Sequence, residues 1–117
     1  MDRSKLYITT TLPYVNAEPH VGHALEFVQA DTISRYFKLK LGNENVFFNV
    51  GTDEHGLKIY RKATEEGLSI KEFVDKYANR FKDFCKLFFV DYDNFYRTSD
   101  ESHHKAAQEF WDRKSVV

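Results

Sequence analysis

The pattern of apolar and polar positions predicts strands alternating with helices along the chain. Residues 6–12 are rich in β-branched and aromatic side chains, a composition typical of a buried parallel strand. Apolar residues then recur at spacings of three and four, which predicts a helix over residues 20–41 with Pro19 as a suitable first residue. The predicted buried face of this helix comprises Val21, Leu25, Val28, Thr32, Tyr36 and Leu39.

The second part of the chain repeats the alternation. Residues 45–50 form a short apolar run that predicts a strand, followed by a loop over residues 51–56. A short helix over residues 57–66 ends at a glycine, and a capping box at residues 69–72 opens a helix that runs to about residue 89. Its apolar stripe is predicted to pack as core, against the sheet or against a remaining part of the protein. The stripe comprises Ile70, Phe73, Val74, Tyr77, Phe81, Phe84, Leu87 and Phe88.

The remaining residues predict one more strand and one more helix. Residues 93–97 are expected to be extended, and residues 98–101 offer a capping box before a helix that runs to about residue 111. This order of elements predicts an α/β fold with a parallel sheet. In a right-handed βαβ unit, the loops after the first two strands emerge side by side at the carboxyl edge of the sheet. No repeat or linker interrupts the sequence, so residues 1–117 are interpreted as one unit.

Composition narrows the class of protein. With 42% hydrophobic residues, a chain of 117 residues can bury one core. The net charge of −1 excludes a broad electrostatic field for nucleic acid, and the single cysteine, Cys85, excludes an internal disulfide and a cysteine-rich zinc site. We interpret Cys85 as a small apolar residue on a helix. Since neither a signal segment nor a transmembrane-length run is present, we expect a cytoplasmic protein with no membrane contact.

The strongest candidate chemistry lies between the first strand and the first helix. His20 and His23 fall in the first helical turn, where free backbone N–H groups and the helix dipole attract anions. Gly22 between them would let a flat ligand approach the backbone. These residues indicate a nucleotide-phosphate site, with the alternative that both histidines only cap the helix. The adjacent pair His103 and His104 is not interpreted as a metal site, because adjacent helical residues face apart.

A family resemblance rests on two motifs, at residues 11–23 and 51–56, with shorter matching segments between and after them. Residues 11–23, which read TLPYVNAEPHVGH, are followed by Ala30-Asp31, by the loop GTDEHG at residues 51–56, and by DYDNF and RTS at residues 91–95 and 97–99. This set resembles the methionyl-tRNA synthetases, a family of class I aminoacyl-tRNA synthetases with an HxGH signature. The resemblance covers residues 7–111 and implies the first half of a Rossmann-like catalytic domain, a parallel sheet with flanking helices.

The resemblance implies an activity and a set of substrates. The family activates methionine with ATP, with Mg²⁺ expected, to form methionyl-adenylate, and transfers the amino acid to tRNA(Met). By this resemblance His20 and His23 would be catalytic and hold the ATP phosphates, and Gly22 would lie against the adenosine. Asn16 in the same loop would reach a phosphate. The zinc-binding connective domain, the KMSKS loop and the anticodon-binding domain of the family do not lie in this sequence, so no zinc site is expected here.

The resemblance also implies the position of the methionine pocket. Leu12 and Tyr14 would line it, and Asp53 would pair with the ammonium group of the amino acid. For Asp53 the alternative is a turn or helix-capping residue. Two functions therefore remain open: part of a methionine–tRNA ligase, or a non-catalytic nucleotide-binding module or split half that needs a complementary chain.

Overall fold

The structure, a computed structural model, describes residues 5–114, so the ends of the predicted unit at residues 1–4 and 115–117 lie outside the described residues. Within this range the three strands form one parallel sheet in the order β1, β2, β3. The elements are β1 (Leu6–Thr9), α1 (Val21–Leu41), a short 3-10 turn (Asn43–Asn45), β2 (Val46–Thr52), α2 (Leu57–Glu65), α3 (Ile70–Leu87), β3 (Asn94–Arg97) and α4 (Glu101–Lys114). The predicted α/β class and parallel sheet are confirmed.

The core lies on one face of the sheet. Phe48 and Val50 are two residues apart on the central strand, so both point to the same side, and both are fully buried. They share one apolar cluster with Phe27 of α1, Ile59 of α2 and Phe73 of α3. On the other side, Tyr7 and Phe47 stack with their ring centroids 5.9 Å apart and remain exposed.

The predicted buried face of α1 is wrong. The helix buries Ala24, Phe27, Ala30, Asp31 and Ser34, whereas the predicted stripe, including Val21, Leu25 and Leu39, is exposed. Small side chains let the helix lie close to the sheet. The buried Asp31 carboxylate is satisfied, because it accepts from Arg35 Nε at 2.7 Å and from the backbone N–H of Asp91 at 2.8 Å. An apolar stripe therefore lies on the outer surface of α1.

The predicted core stripe of α3 is confirmed in its centre and differs at its ends. Phe73, Val74, Tyr77 and Phe81 are buried, while Ile70, Leu87 and Phe88 are exposed. Cys85 belongs to the same cluster, and burial raises the pKa of its thiol to about 12. The interpretation of this cysteine as a small apolar residue is confirmed. None of the helices within residues 5–114 combines the length and the apolar character needed to cross a membrane.

Three boundaries differ from prediction at the carboxyl edge of the sheet. Strand β1 ends at Thr9 and not at residue 12. The central strand continues through Gly51 and Thr52, because they pair with Tyr96 and Arg97 of β3. The predicted capping box at residues 98–101 is absent, because the hydroxyl of Thr98 is buried and accepts from the backbone N–H of Glu54 at 2.8 Å. Helix α4 begins at Glu101 without it.

We expect Gly51→Ala to lower the free energy of unfolding by about 3 kcal/mol or more, since an added Cβ would overlap the carbonyl oxygen of Tyr96 and contact Leu12. Urea unfolding measures the change. Gly67→Ala is the matched control: its φ of +68° brings strain, but no atom lies within 4 Å of the new Cβ, so a loss of about 1–2 kcal/mol is expected. An equal or smaller loss at Gly51 would contradict the tight packing.

Candidate functional site

The two histidines of the predicted phosphate site cap helix α1. His20 is the N-cap residue, with extended backbone angles, so the helix begins at Val21 and the predicted start at Pro19 or His20 is early. The Nδ1 atom of His20 accepts from the backbone N–H of Gly22 at 3.1 Å, and Nδ1 of His23 accepts from the backbone N–H of His20 at 3.1 Å. The two imidazoles thus form a reciprocal capping box.

This cap fixes the tautomer of both rings. A neutral imidazole whose Nδ1 accepts a hydrogen bond carries its proton on Nε2, so each ring has an N–H donor that makes no hydrogen bond among residues 5–114. The rings stack with centroids 3.8 Å apart at 26°, and His20 is exposed. Capping the helix is therefore compatible with donating two hydrogen bonds to a ligand at its N-terminus.

Glycine between the histidines leaves room for the first ring, which folds over the backbone. A Cβ on Gly22 would lie 2.9 Å from Cε1 of His20. His23 in turn packs edge-on against the buried ring of Phe81, with centroids 5.2 Å apart. Burial lowers the pKa of His23, the charge of nearby His20 lowers it further, and Glu26 opposes both effects. His23 is therefore neutral at pH 7.

The loop before α1 is tied to the same helix by a carboxylate. The backbone N–H and the hydroxyl of Thr11 donate to the two oxygens of Glu26 at 2.5 and 2.8 Å. Because Glu26 lies one helical turn beyond His23, this clamp sets the position of the loop relative to the histidine cap.

The other side of this loop pairs with the end of the central strand. The backbone N–H of Asp53 donates to the carbonyl of Pro13 at 2.9 Å, and the N–H of Val15 donates to the carbonyl of Asp53 at 3.2 Å. Tyr14 and Asp53 thereby form a parallel bridge that continues the sheet. The loops after the first two strands lie side by side, as the βαβ topology predicts.

Leu12 and Tyr14 are both half-buried in this region. A Cβ on Gly51 would meet the Leu12 side chain at 3.0 Å, so Leu12 lies against the central strand. The Tyr14 hydroxyl donates to the carbonyl of His55, across the neighbouring loop. Gly56, at φ +120°, is required there both for its backbone conformation and because a Cβ would overlap this hydroxyl.

The Asp53 carboxylate is half-buried and lightly engaged. Within residues 5–114 it accepts one long hydrogen bond, from the backbone N–H of His55 at 3.4 Å. This weak bond is the kind that the alternative interpretation of Asp53, as a turn residue, predicts. No hydrogen bond or ring contact in this range joins Asp53 to His20 or His23. Asn16 is also half-buried, with no side-chain hydrogen bond in the described part of the chain.

Sequence reasoning missed the most buried charged group of this edge. The side chain of Glu54 is fully buried and pairs with both prongs of the Arg97 guanidinium, at 2.7 and 2.8 Å. Strand register brings the two together, because Thr52 and Arg97 are register partners and Glu54 follows Thr52 two residues later. Hydrophobic periodicity gives no hint of a buried acidic residue.

The adjacent histidines His103 and His104 contact different elements. His103 packs against Tyr96 with ring centroids 5.5 Å apart, while Nε2 of His104 lies 3.4 Å from Nε2 of His55. Within residues 5–114, no three His, Cys, Asp or Glu side chains are grouped so that they could hold a metal ion.

Residues 6–115 match the family model described as tRNA synthetases class I (M). The chain belongs to this family. The methionine–tRNA ligase of Thermotoga maritima is 47% identical over 106 residues, which span 91% of this chain and 16% of that protein. The methionine–tRNA ligase of Brucella suis is 39% identical over 111 residues, 95% of this chain and 21% of that protein.

A solved structure of the family confirms the fold. The methionyl-tRNA synthetase of Mycobacterium tuberculosis, in complex with methionyl-adenylate, superposes with a TM-score of 0.92 at 37% identity. The match covers 97% of this chain and 22% of the solved chain. This chain therefore spans about a fifth of the length of the relatives it matches and has the α/β fold of class I synthetases.

We expect His23 to titrate below its ordinary pKa of 6.5, with the proton of the neutral ring on Nε2. The folded chain then binds fewer protons than the unfolded chain, so this stabilisation is complete above pH 6.5 and is lost as the pH falls through the folded pKa. Nitrogen NMR of the imidazole measures both properties.

Urea unfolding of the wild type and of His23→Ala, above and below pH 6.5, gives an independent check. The variant lacks the contribution of His23 to the free energy of unfolding, so its stability should depend less on pH. A pKa for His23 at or above 6.5, or a proton on Nδ1, would contradict the capping geometry.

Proposed function

We propose that this chain provides the ATP-phosphate site and part of the methionine pocket of a methionine–tRNA ligase. The observation that carries the proposal is the two-histidine cap of α1, joined through residues 11–15 to the Asp53 loop, in a chain of this family. The relatives and the bound methionyl-adenylate of the M. tuberculosis enzyme support the choice of substrates.

The histidine cap is suited to stabilising the negative charge that develops on the ATP phosphates during the reaction. During activation the methionine carboxylate attacks the α-phosphorus of ATP, the bond to the bridging oxygen breaks, and pyrophosphate leaves with Mg²⁺ as its expected counter-ion. The Nε2–H groups of His20 and His23 would donate to the phosphate oxygens, and the positive end of the α1 dipole would favour their negative charge. Gly22 would leave room for the adenosine, and Asn16 would reach a phosphate.

The loop that carries Asp53 is suited to binding the amino-acid substrate. The lightly engaged carboxylate of Asp53 would pair with the methionine ammonium group, which needs a counter-charge when it leaves water. Leu12 and Tyr14 would line the side-chain pocket. A thioether against an aromatic ring contributes about 0.3–1.5 kcal/mol, so Tyr14 alone does not account for selection of methionine.

A complementary part of the enzyme would complete both sites. The exposed stripe of α1, with Leu25 and Leu39, and the open sheet face with Tyr7 and Phe47 are apolar surfaces that a parallel sheet ordinarily covers. tRNA(Met) would be a substrate of the completed enzyme. A second candidate function, a nucleotide-binding module without catalysis, is favoured by the fact that the histidine cap is complete within this chain.

Methionine-dependent exchange of pyrophosphate into ATP separates the two functions. We expect no exchange from the chain alone and measurable exchange when the remaining part of a family enzyme is added in trans. Nucleotide binding without exchange in either case would leave only the binding module.

His23→Ala is expected to lower any exchange by about ten- to a thousandfold, because it removes a donor aimed at the transition-state charge. His103→Ala, a histidine that packs on Tyr96 outside the proposed site, serves as the control and should leave exchange within about twofold of the wild type. Equal rates for both variants would refute the phosphate role of His23.

Asp53→Asn is expected to weaken methionine binding about ten- to a hundredfold, the size of one hydrogen bond to a charged group, and to leave ATP binding unchanged. Calorimetric titration of each ligand into the completed enzyme measures this. The control Asp83→Asn alters an exposed aspartate of α3 that pairs with Lys86. Loss of ATP affinity equal to the loss of methionine affinity would contradict the assignment.

A further inference from the structure

The acidic residue directly after Asp53 is buried in a dense polar network. Both Glu54 oxygens accept hydrogen bonds, Oε1 from the Thr52 hydroxyl at 2.6 Å and from Arg97 Nε at 2.7 Å. Oε2 accepts from Arg97 Nη2 at 2.8 Å and from the Ser99 hydroxyl. A fully buried carboxylate with this many donors has one permitted orientation.

The guanidinium of Arg97 is held from the opposite side. Its Nη2 also donates to Asp75 on helix α3 at 2.8 Å. Hydrogen bonding to Glu54, and then to Asp75, raises the pKa of Arg97, while Lys71 and then Arg97 lower the pKa of Asp75. Strand β3 and helix α3 are thus connected through charged groups to the loop that follows β2.

The backbone N–H groups of Asp53 and of the residue after it are both hydrogen-bonded. The N–H of Glu54 donates to the Thr98 hydroxyl at 2.8 Å, whereas the N–H of Asp53 donates to Pro13 at 2.9 Å. The carboxylate of Asp53, in contrast, has one long hydrogen bond among the described residues. The backbone that carries this side chain is held firmly, and the side chain itself stays available.

We propose that Arg97 is a positioning residue for Asp53. It locks Glu54, and through Glu54 it holds the Asp53 carboxylate where an amino-acid ammonium group would bind. The inference rests on the proposed function of Asp53. It predicts that methionine affinity depends on an arginine that does not itself contact methionine, while ATP affinity at the histidine cap does not.

The test separates positioning from stability with two variants. Arg97→Met leaves a buried carboxylate without its counter-ion and is expected to lower the urea midpoint strongly. The double variant Glu54→Gln with Arg97→Met removes both charges and is expected to recover most of that loss. In the completed enzyme both variants should bind methionine at least tenfold more weakly and bind ATP within about twofold of the wild type.

A conservative variant and a surface control complete the set. Arg97→Lys keeps the charge but loses the two-pronged hydrogen bond, so both methionine affinity and the urea midpoint should fall between those of the wild type and Arg97→Met. Lys62→Met breaks an exposed ion pair with Glu65 on α2 and should change neither affinity.

A double variant with recovered stability and wild-type methionine affinity would overturn the proposal, as would an equal loss of ATP affinity. If the wild-type completed enzyme binds no methionine, the proposed function fails. The role of Arg97 is then tested separately, by amide hydrogen–deuterium exchange in this chain alone. Exchange at Asp53 and Val15 should then rise at least tenfold in the double variant, with His23 unaffected; no rise would refute positioning.

Discussion

The buried ion pair between Glu54 and Arg97 is the constraint on which the carboxyl edge of the sheet depends. A carboxylate removed from water is tolerated only when donors surround it, and the sequence supplies them from β2, from β3 and from the residues after β3. The pair adds little to stability relative to an apolar core, but it permits one arrangement of the loop. Through the pairing of Asp53 with residues 13 and 15, this arrangement extends to the loop before α1.

The histidine cap shows how one set of atoms meets a structural and a chemical need. The first turn of a helix has unsatisfied N–H groups, and here imidazole Nδ1 atoms accept from two of the nearby donors. Ser69 and Glu72 cap α3 with an ordinary hydroxyl and carboxylate. Imidazoles in the same role leave an N–H on the opposite edge of each ring, which a serine or glutamate cap would not provide.

The sequence predicted those features that depend on local pattern: the parallel α/β order, the capping box at Ser69, the buried centre of α3 and the adjacency of the two loops. It failed for the face of α1, because periodicity ranks residues by apolar character, while the sheet selects small residues and a hydrogen-bonded Asp31. It also failed for Glu54 and Thr98, whose partners lie more than 40 residues away along the chain. Such partners are fixed by strand register, which no local pattern encodes.

Helix α1 has two apolar sides, and the chain itself uses only one. Phe27 and its small neighbours pack into the core. Leu25 and Leu39 belong to a second apolar face of the helix, which is exposed among residues 5–114. Polar replacements of Leu25 and Leu39 would change side chains that are largely exposed among residues 5–114. Substitutions on this exposed face can therefore alter solubility and association without altering folding, whereas substitutions on the buried face of the same helix alter folding.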